Sequence, residues 1–182
     1  MKKYILFIII TGLSFSACNN PNQKEIGEVE ALLAIIEETE KSLLSIDTSA
    51  VFMAKRQMDK DMAEISMIND TLTREEAFKL DDIFGSKKRL QSIMMNYPGL
   101  IRQIEFSKTQ LNNLKQDLEN GLVKKEAFKA HYALEQAEVM TLNVQVNKTI
   151  GGLDFALEKL KSDRPLLLEL IENKKLKAAD NE

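Results

Sequence analysis

Histidine, cysteine and converging carboxylates are the side chains most often recruited for catalysis or metal binding, and in these 182 residues they are few or scattered. His131 is the only histidine. It precedes Glu135 by four residues, which puts an imidazole and a carboxylate on one helix face where both could ligate a metal. A structural metal site needs about four donors and a catalytic one about three. No third donor stands nearby, so the pair reads as a surface hydrogen bond and no metal is expected. A two-histidine mechanism is excluded within one chain. A serine nucleophile would need His131 as its base, yet the sequence contains no Gly-x-Ser-x-Gly turn. Carboxylate pairs abound, but on Glu-rich helices they follow from solvation, and general acid catalysis also requires a raised pKa. Met53, Met58, Met62 and Met67 carry thioethers of the kind that bind Cu(I). Only Met58 and Met62 are a helical turn apart, and methionine is a common filler of irregular cores. Gly151-Gly152 lacks the preceding strand and the Lys-Ser/Thr of a phosphate-binding loop. The expectation is a non-enzyme with no catalytic residue, cofactor or metal.

Cys18 is the only cysteine, so an internal disulfide is excluded. Lys2 and Lys3 precede an apolar run from Tyr4 to Phe15, interrupted by Thr11, Gly12 and Ser14, and small residues come just before the thiol. This is the layout of a secretory signal, and the run is shorter than the about 20 apolar residues of a membrane-spanning helix. The stretch Phe15-Ser16-Ala17-Cys18 resembles the signal of bacterial lipoproteins, with Phe15 where leucine is commoner. The resemblance implies removal of residues 1–17 and acylation of Cys18, which would then serve as a membrane anchor rather than a nucleophile. Each buried methylene contributes about 0.8 kcal/mol, so several chains on one cysteine would hold the protein lastingly. Asn19, in place of an aspartate, implies the outer membrane, and the lack of an acidic run after Cys18 implies its periplasmic face.

Of the 25 Lys+Arg, the loss of Lys2 and Lys3 leaves 23 against 28 Asp+Glu, a net charge of −5 for the processed chain. Charges of both signs are interleaved, as in Glu37-Glu38-Thr39-Glu40-Lys41, rather than clustered as phosphate neutralisation requires. Nucleic acid is therefore not an expected partner. Residues 18–23, with Pro21 among polar neighbours, read as a tether. A single helical domain is expected over 24–177, followed by a disordered end at 178–182.

The body lacks tryptophan, has few Gly and Pro, and is dominated by helix-forming residues. No stretch alternates with period two. The expected fold is all-α, an elongated antiparallel bundle or coiled-coil hairpin of about five to six helices. Ile26, Val29, Leu33, Ile36 and Leu43, with Glu40 in the same seam, predict a helix over 24–46. Asp47-Thr48-Ser49 supplies capping side chains for a second over 50–68, unless the two form one bent helix. Thr73-Arg74-Glu75-Glu76 is a capping box that opens a third, to about Asn96. Pro98-Gly99 predicts a stop. A fourth follows over 100–119, ended by Asn120-Gly121. No proline interrupts 122–161, so a fifth helix of about 60 Å is expected unless Gly151-Gly152 bends it. It would pair with the fourth as an antiparallel hairpin and overrun it. Ser162-Asp163-Arg164-Pro165 predicts a restart into a last short helix, with fraying from Lys174.

The stretch from Leu114 to Leu122, with Glu126-Ala127-Phe128, Arg164-Pro165 and Leu170-Ile171, resembles uncharacterised all-helical lipoproteins of Bacteroidota. Spanning roughly 40–175, the resemblance implies an extended bundle and carries no catalytic residues over. Asp70-Thr71-Leu72 is similar to the Asp-Ser/Thr-aliphatic sites that such bacteria O-glycosylate on exported proteins, which would place a sugar on Thr71. Turn chemistry alone also accounts for these residues.

Two functional classes follow. The favoured one is a lipid-anchored interaction or structural module of the cell envelope. Its contact surface would be an exposed seam of the long C-terminal helix, Leu142, Val146, Leu153 and Leu160, which one helix cannot bury alone. A second copy or a protein partner would cover it. The alternative is a periplasmic ligand-binding protein or weak enzyme with a cavity between helices, lined by Met58, Met62, Phe78, Phe84, Phe106 and Tyr132.

Overall fold

The computed structural model describes residues 21–68 and 71–179. Cys18 and Asp70 lie outside these residues. Among the described residues the chain is helical, in five elements: α1 (Gln23–Leu44), α2 (Thr48–Met67), α3 (Arg74–Glu119), α4 (Lys125–Ile150) and α5 (Leu153–Ala179). None is long and apolar enough to cross a membrane. The all-α class agrees with the sequence expectation.

The divisions between helices differ from that expectation. Pro98 does not end a helix but lies within α3, whose 46 residues span about 69 Å at 1.5 Å per residue. Proline removes one hydrogen bond and crowds the preceding turn. Buried Ile93, Leu100 and Ile104 hold the helix on both sides of that defect. Pro165 is likewise internal to α5, so no separate last helix starts there. The helix also continues past Lys174 to Ala179. Lys174 is buried, and its Nζ donates to the Thr71 carbonyl at 2.7 Å and meets Glu76 at 3.2 Å, which holds the segment expected to fray.

Caps account for the breaks that do occur. The Asp47 carboxylate accepts from the Ala50 amide at 2.9 Å and starts α2, so residues 24–68 form two helices. Thr73 and Glu76 complete the capping box at the start of α3. Gly121 and Gly152 take positive φ, 68° and 76°, after α3 and before α5. Those left-handed conformations are costly for residues that carry a Cβ.

The five helices make three passes, α1–α2, α3 and α4–α5, with α3 running against the other two, rather than an elongated hairpin. Directions follow from cross-links. Lys115 meets Glu30 at 2.6 Å and Lys108 meets Glu40 at 2.6 Å, so α1 runs against α3. Asn143 donates to Thr39 at 2.8 Å and Lys125 lies 3.7 Å from Glu25, so α4 runs with α1. Two aliphatic cores lie end to end along α3. The first joins α1, the C-terminal half of α3 and α4 through Val29, Ile36, Leu43, Ile104, Leu111, Leu118, Val139 and Val146. The second joins α2, the N-terminal half of α3 and α5 through Val51, Met58, Ile83, Leu90, Ile93, Leu160 and Leu167. Ile46 packs against both. Each fully buried Leu or Ile contributes about 1.5–3 kcal/mol relative to exposure.

Candidate interaction surface

The expected seam is not at the surface. Leu142 and Val146 are 1% and 0% exposed in the first core, and Leu153 and Leu160 are 7% and 5% exposed in the second. Continuation of α3 through Pro98 covers Leu153 and Leu160, while α1 joins the C-terminal half of α3 in burying Leu142 and Val146. A partner helix that began only at residue 100 would leave 150–160 without cover, whereas α3 extends N-terminally through Pro98 and brings Leu90 and Ile83 into one core with Leu153 and Leu160.

Nor do the residues proposed to line a cavity converge. Met58 is buried and Met62 packs beside it in the second core, while Tyr132 packs on the first with its ring centroid 5.4 Å from that of Phe128. Phe78 and Phe106 are each 63% exposed. The side chain of Phe84 lies outside the described part. The methionines do not gather either, since Met53 and Met67 face solvent. His131 is exposed and Glu135 partly buried. Burial first, then the neighbouring Glu138 charge, push the Glu135 carboxyl above its ordinary value, and His131 pulls the other way. No group of three or more metal-binding side chains occurs among the described residues. Thr71 is exposed, and its backbone rather than its hydroxyl is engaged, through Lys174.

Polar cross-links fix the passes to one another. Asp61, 2% exposed on α2, accepts from Gln57 at 2.8 Å and from Arg164 Nε on α5 at 2.8 Å. Asp59 is held below the ordinary carboxylate value by hydrogen bonds from Lys55 and Lys87, the latter on α3 at 2.8 Å. Thr39, 1% exposed, donates to the Ile35 carbonyl and accepts from Asn143. Sequence reading missed these contacts. Seam spacing marks Glu40 rather than its neighbour Thr39, and nothing local in a charged helix singles out Asp61.

Two groups of exposed apolar side chains lie outside the cores. On α4, Leu134, Met140 and Val144 are 71%, 44% and 65% exposed, on the face opposite buried Val139, Leu142 and Val146. Residues 130–147 hold only two formal charges, Glu135 and Glu138, against 29% charged for the chain. Spacings of seven among Ala130, Ala137 and Val144 carry the sequence signal of this second face. Where α2 ends and α3 begins, Met67 is 82% and Leu72 42% exposed beside a cleft of about 240 Å³ lined by Ile65, Ile68, Leu72, Leu170 and Lys174. The opposite end of the body carries the start of α1, where the Asn22 amide donates to the Leu118 carbonyl at 2.9 Å.

No protein-family model matches the chain, and neither the curated proteins nor the solved structures contain a match to it.

Proposed function

We propose that this chain is a lipid-anchored envelope module that holds an interaction surface away from a membrane, with Cys18 as its acylated anchor and no catalytic role. One observation carries the reading: the first described residues and the apolar cleft near Leu72 lie at opposite ends of α3. Asn22 bonds the last turn of α3, whereas Lys174 and Thr71 sit at its first. A chain tethered through the residues between Cys18 and Asn22 would therefore present Met67, Leu72 and Leu170 about 69 Å from the end of the body nearest its anchor. Aliphatic filling of both cores supports a structural rather than a catalytic role. The outer membrane, on its periplasmic side, is the location this reading takes from the N-terminal segment. Self-association would use Leu134, Met140 and Val144 on α4, since the seam residues are engaged within the chain.

The test joins acylation to position. Metabolic labelling with an alkyne fatty acid is expected to mark the protein and to fail on Cys18→Ala, which should also leave the membrane fraction. Photo-crosslinkers at Met67 and Leu72 are expected to capture a discrete partner that the same probe at Leu122, on the anchor end, does not. Labelling that survives Cys18→Ala overturns the anchor. Identical crosslinking from both ends overturns the distal surface.

A further inference from the structure

We propose that the cleft between the middle of α3 and the end of α4 is a binding site for a phosphate group, with Arg89 and Lys148 as its cations. The cleft is open, measures about 540 Å³, and has no carboxylate in its lining although the chain holds 28 acidic residues. Its polar walls are Arg89, Ser92, Asn96 and Gln103 from α3 with Gln145 and Lys148 from α4.

Arg89 is the exception among the buried and partly buried cations of the described residues. Every other described lysine or arginine that is buried or partly buried, from Lys55 on α2 to Lys174 on α5, meets a carboxylate within 4 Å. Arg89 is partly buried and meets none among the described residues. Its Nη2 donates to the Lys148 carbonyl at 3.1 Å, and its Nε is enclosed without an acceptor. The guanidinium lies within ordinary contact distance of the α4/α5 break. A Cβ at Gly151 or at Gly152 would stand 3.7 Å from Nη2, and one at Gly151 would also lie 2.8 Å from the Asn147 carbonyl.

Capping of α4 explains part of this placement, because a helix C-terminus carries about half an elementary negative charge. That dipole offsets only part of one guanidinium. Lys148, which also has no carboxylate partner among the described residues, leaves the cleft with an uncompensated positive charge. A planar fork from α3 and an ammonium from α4, with the Ser92 hydroxyl three residues on from Arg89, suit the several acceptor oxygens of a phosphate better than a single acceptor. The phosphate could be free or part of a lipid headgroup.

Calorimetric titration of the full chain in detergent with inorganic phosphate tests the site. Saturable binding is expected, weakened at least about tenfold by Asn96→Asp, which places a carboxylate against the cations, and weakened less by Lys148→Gln. Both side chains are exposed, so both variants should keep the wild-type melting temperature. Phosphatidylglycerol vesicles supply the second arm, with the Cys18→Ser full chain. Cosedimentation that Asn96→Asp reduces assigns the phosphate to a lipid. Cosedimentation that is absent, or untouched by that change, assigns it to a soluble ligand. No saturable heat with phosphate, or unchanged binding by Asn96→Asp, overturns the proposal.

Discussion

Removing one partner of the Asp61–Arg164 pair should cost very different amounts depending on which partner goes. The Asp61 side chain is 3% exposed and that of Arg164 40% exposed, with Nε–Oδ2 at 2.8 Å and a second contact at 3.5 Å. Arg164→Met strands a buried carboxylate with only the Gln57 amide. Stranding a fully buried charge costs about 3–5 kcal/mol. Water entering where the half-open guanidinium stood should lower this to about 2–3 kcal/mol. Asp61→Leu instead leaves a cation that can turn to solvent, at about 1 kcal/mol. The double variant replaces both charges by apolar groups and should lie within about 1 kcal/mol of wild type. Because α2 buries only Val51, Met58 and Asp61, the loss should show first as release of α2. Urea unfolding followed by circular dichroism gives the three free energies, and amide hydrogen exchange locates the opening. Equal costs for the two single changes, or a double variant as unstable as Arg164→Met, would refute the reasoning.

Pro98→Ala restores the amide missing from the middle of α3 and should stabilise the fold by about 1–2 kcal/mol, part of the proline penalty being offset by greater unfolded-state entropy; urea midpoints check this. Gly152→Ala, at φ 76°, should destabilise by about 1–2 kcal/mol, whereas Gly27→Ala, in open helical surroundings, should stabilise by about 0.5–1 kcal/mol. The Thr73 amide, then Lys174, hold the Glu76 carboxyl below its ordinary value of 4.5. Its contribution is present above that value and lost as pH falls through the lowered one, so Glu76→Gln should destabilise at neutral pH and converge with wild type in acid. Leu142→Asp or Leu153→Asp should unfold the chain, at more than about 4 kcal/mol, while Leu134→Asp should fall within about 0.5 kcal/mol of wild type in thermal melts of dilute protein.

The class of fold was legible because helix composition and three-four apolar spacing act locally, and so were the caps at Asp47, Thr73 and Gly121. What spacing cannot report is whether distant packing overrides a local breaker. Pro98-Gly99 carries a stop signal, yet Ile93, Leu100 and Ile104 bury on either side of it and hold α3 in one piece. That override placed Leu153 and Leu160 in the second core, and the packing of α1 against α4, which spacing reports no better, placed Leu142 and Val146 in the first. Asp61 illustrates the other blind spot. It sits among Lys55, Arg56, Asp59 and Lys60 and reads as one more solvated charge until α5 brings Arg164 to it.

The three passes hand over from one core to the other at a common level. On the first pass Ile46 touches both cores, beside the turn into α2. On the third, Ile150 belongs to the first core and Leu153 to the second, across the glycine break. The Asn143–Thr39 bond sets α1 and α4 in parallel register, so four residues on, and four more, bring the turn at 45–47 level with the break at 151–152. On α3 the change falls between Met94 and Tyr97, next to Pro98. Two passes are thus interrupted at one height, and only α3 crosses it as a helix, with one hydrogen bond fewer than a continuous helix should have. Burial on both sides of Pro98 keeps the two cores in one rod, while the missing bond makes that level the place where the rod bends most easily. The cleft that holds Arg89 and Lys148 opens beside this same level, so a ligand bridging α3 and α4 there would stiffen the joint that the proline weakens.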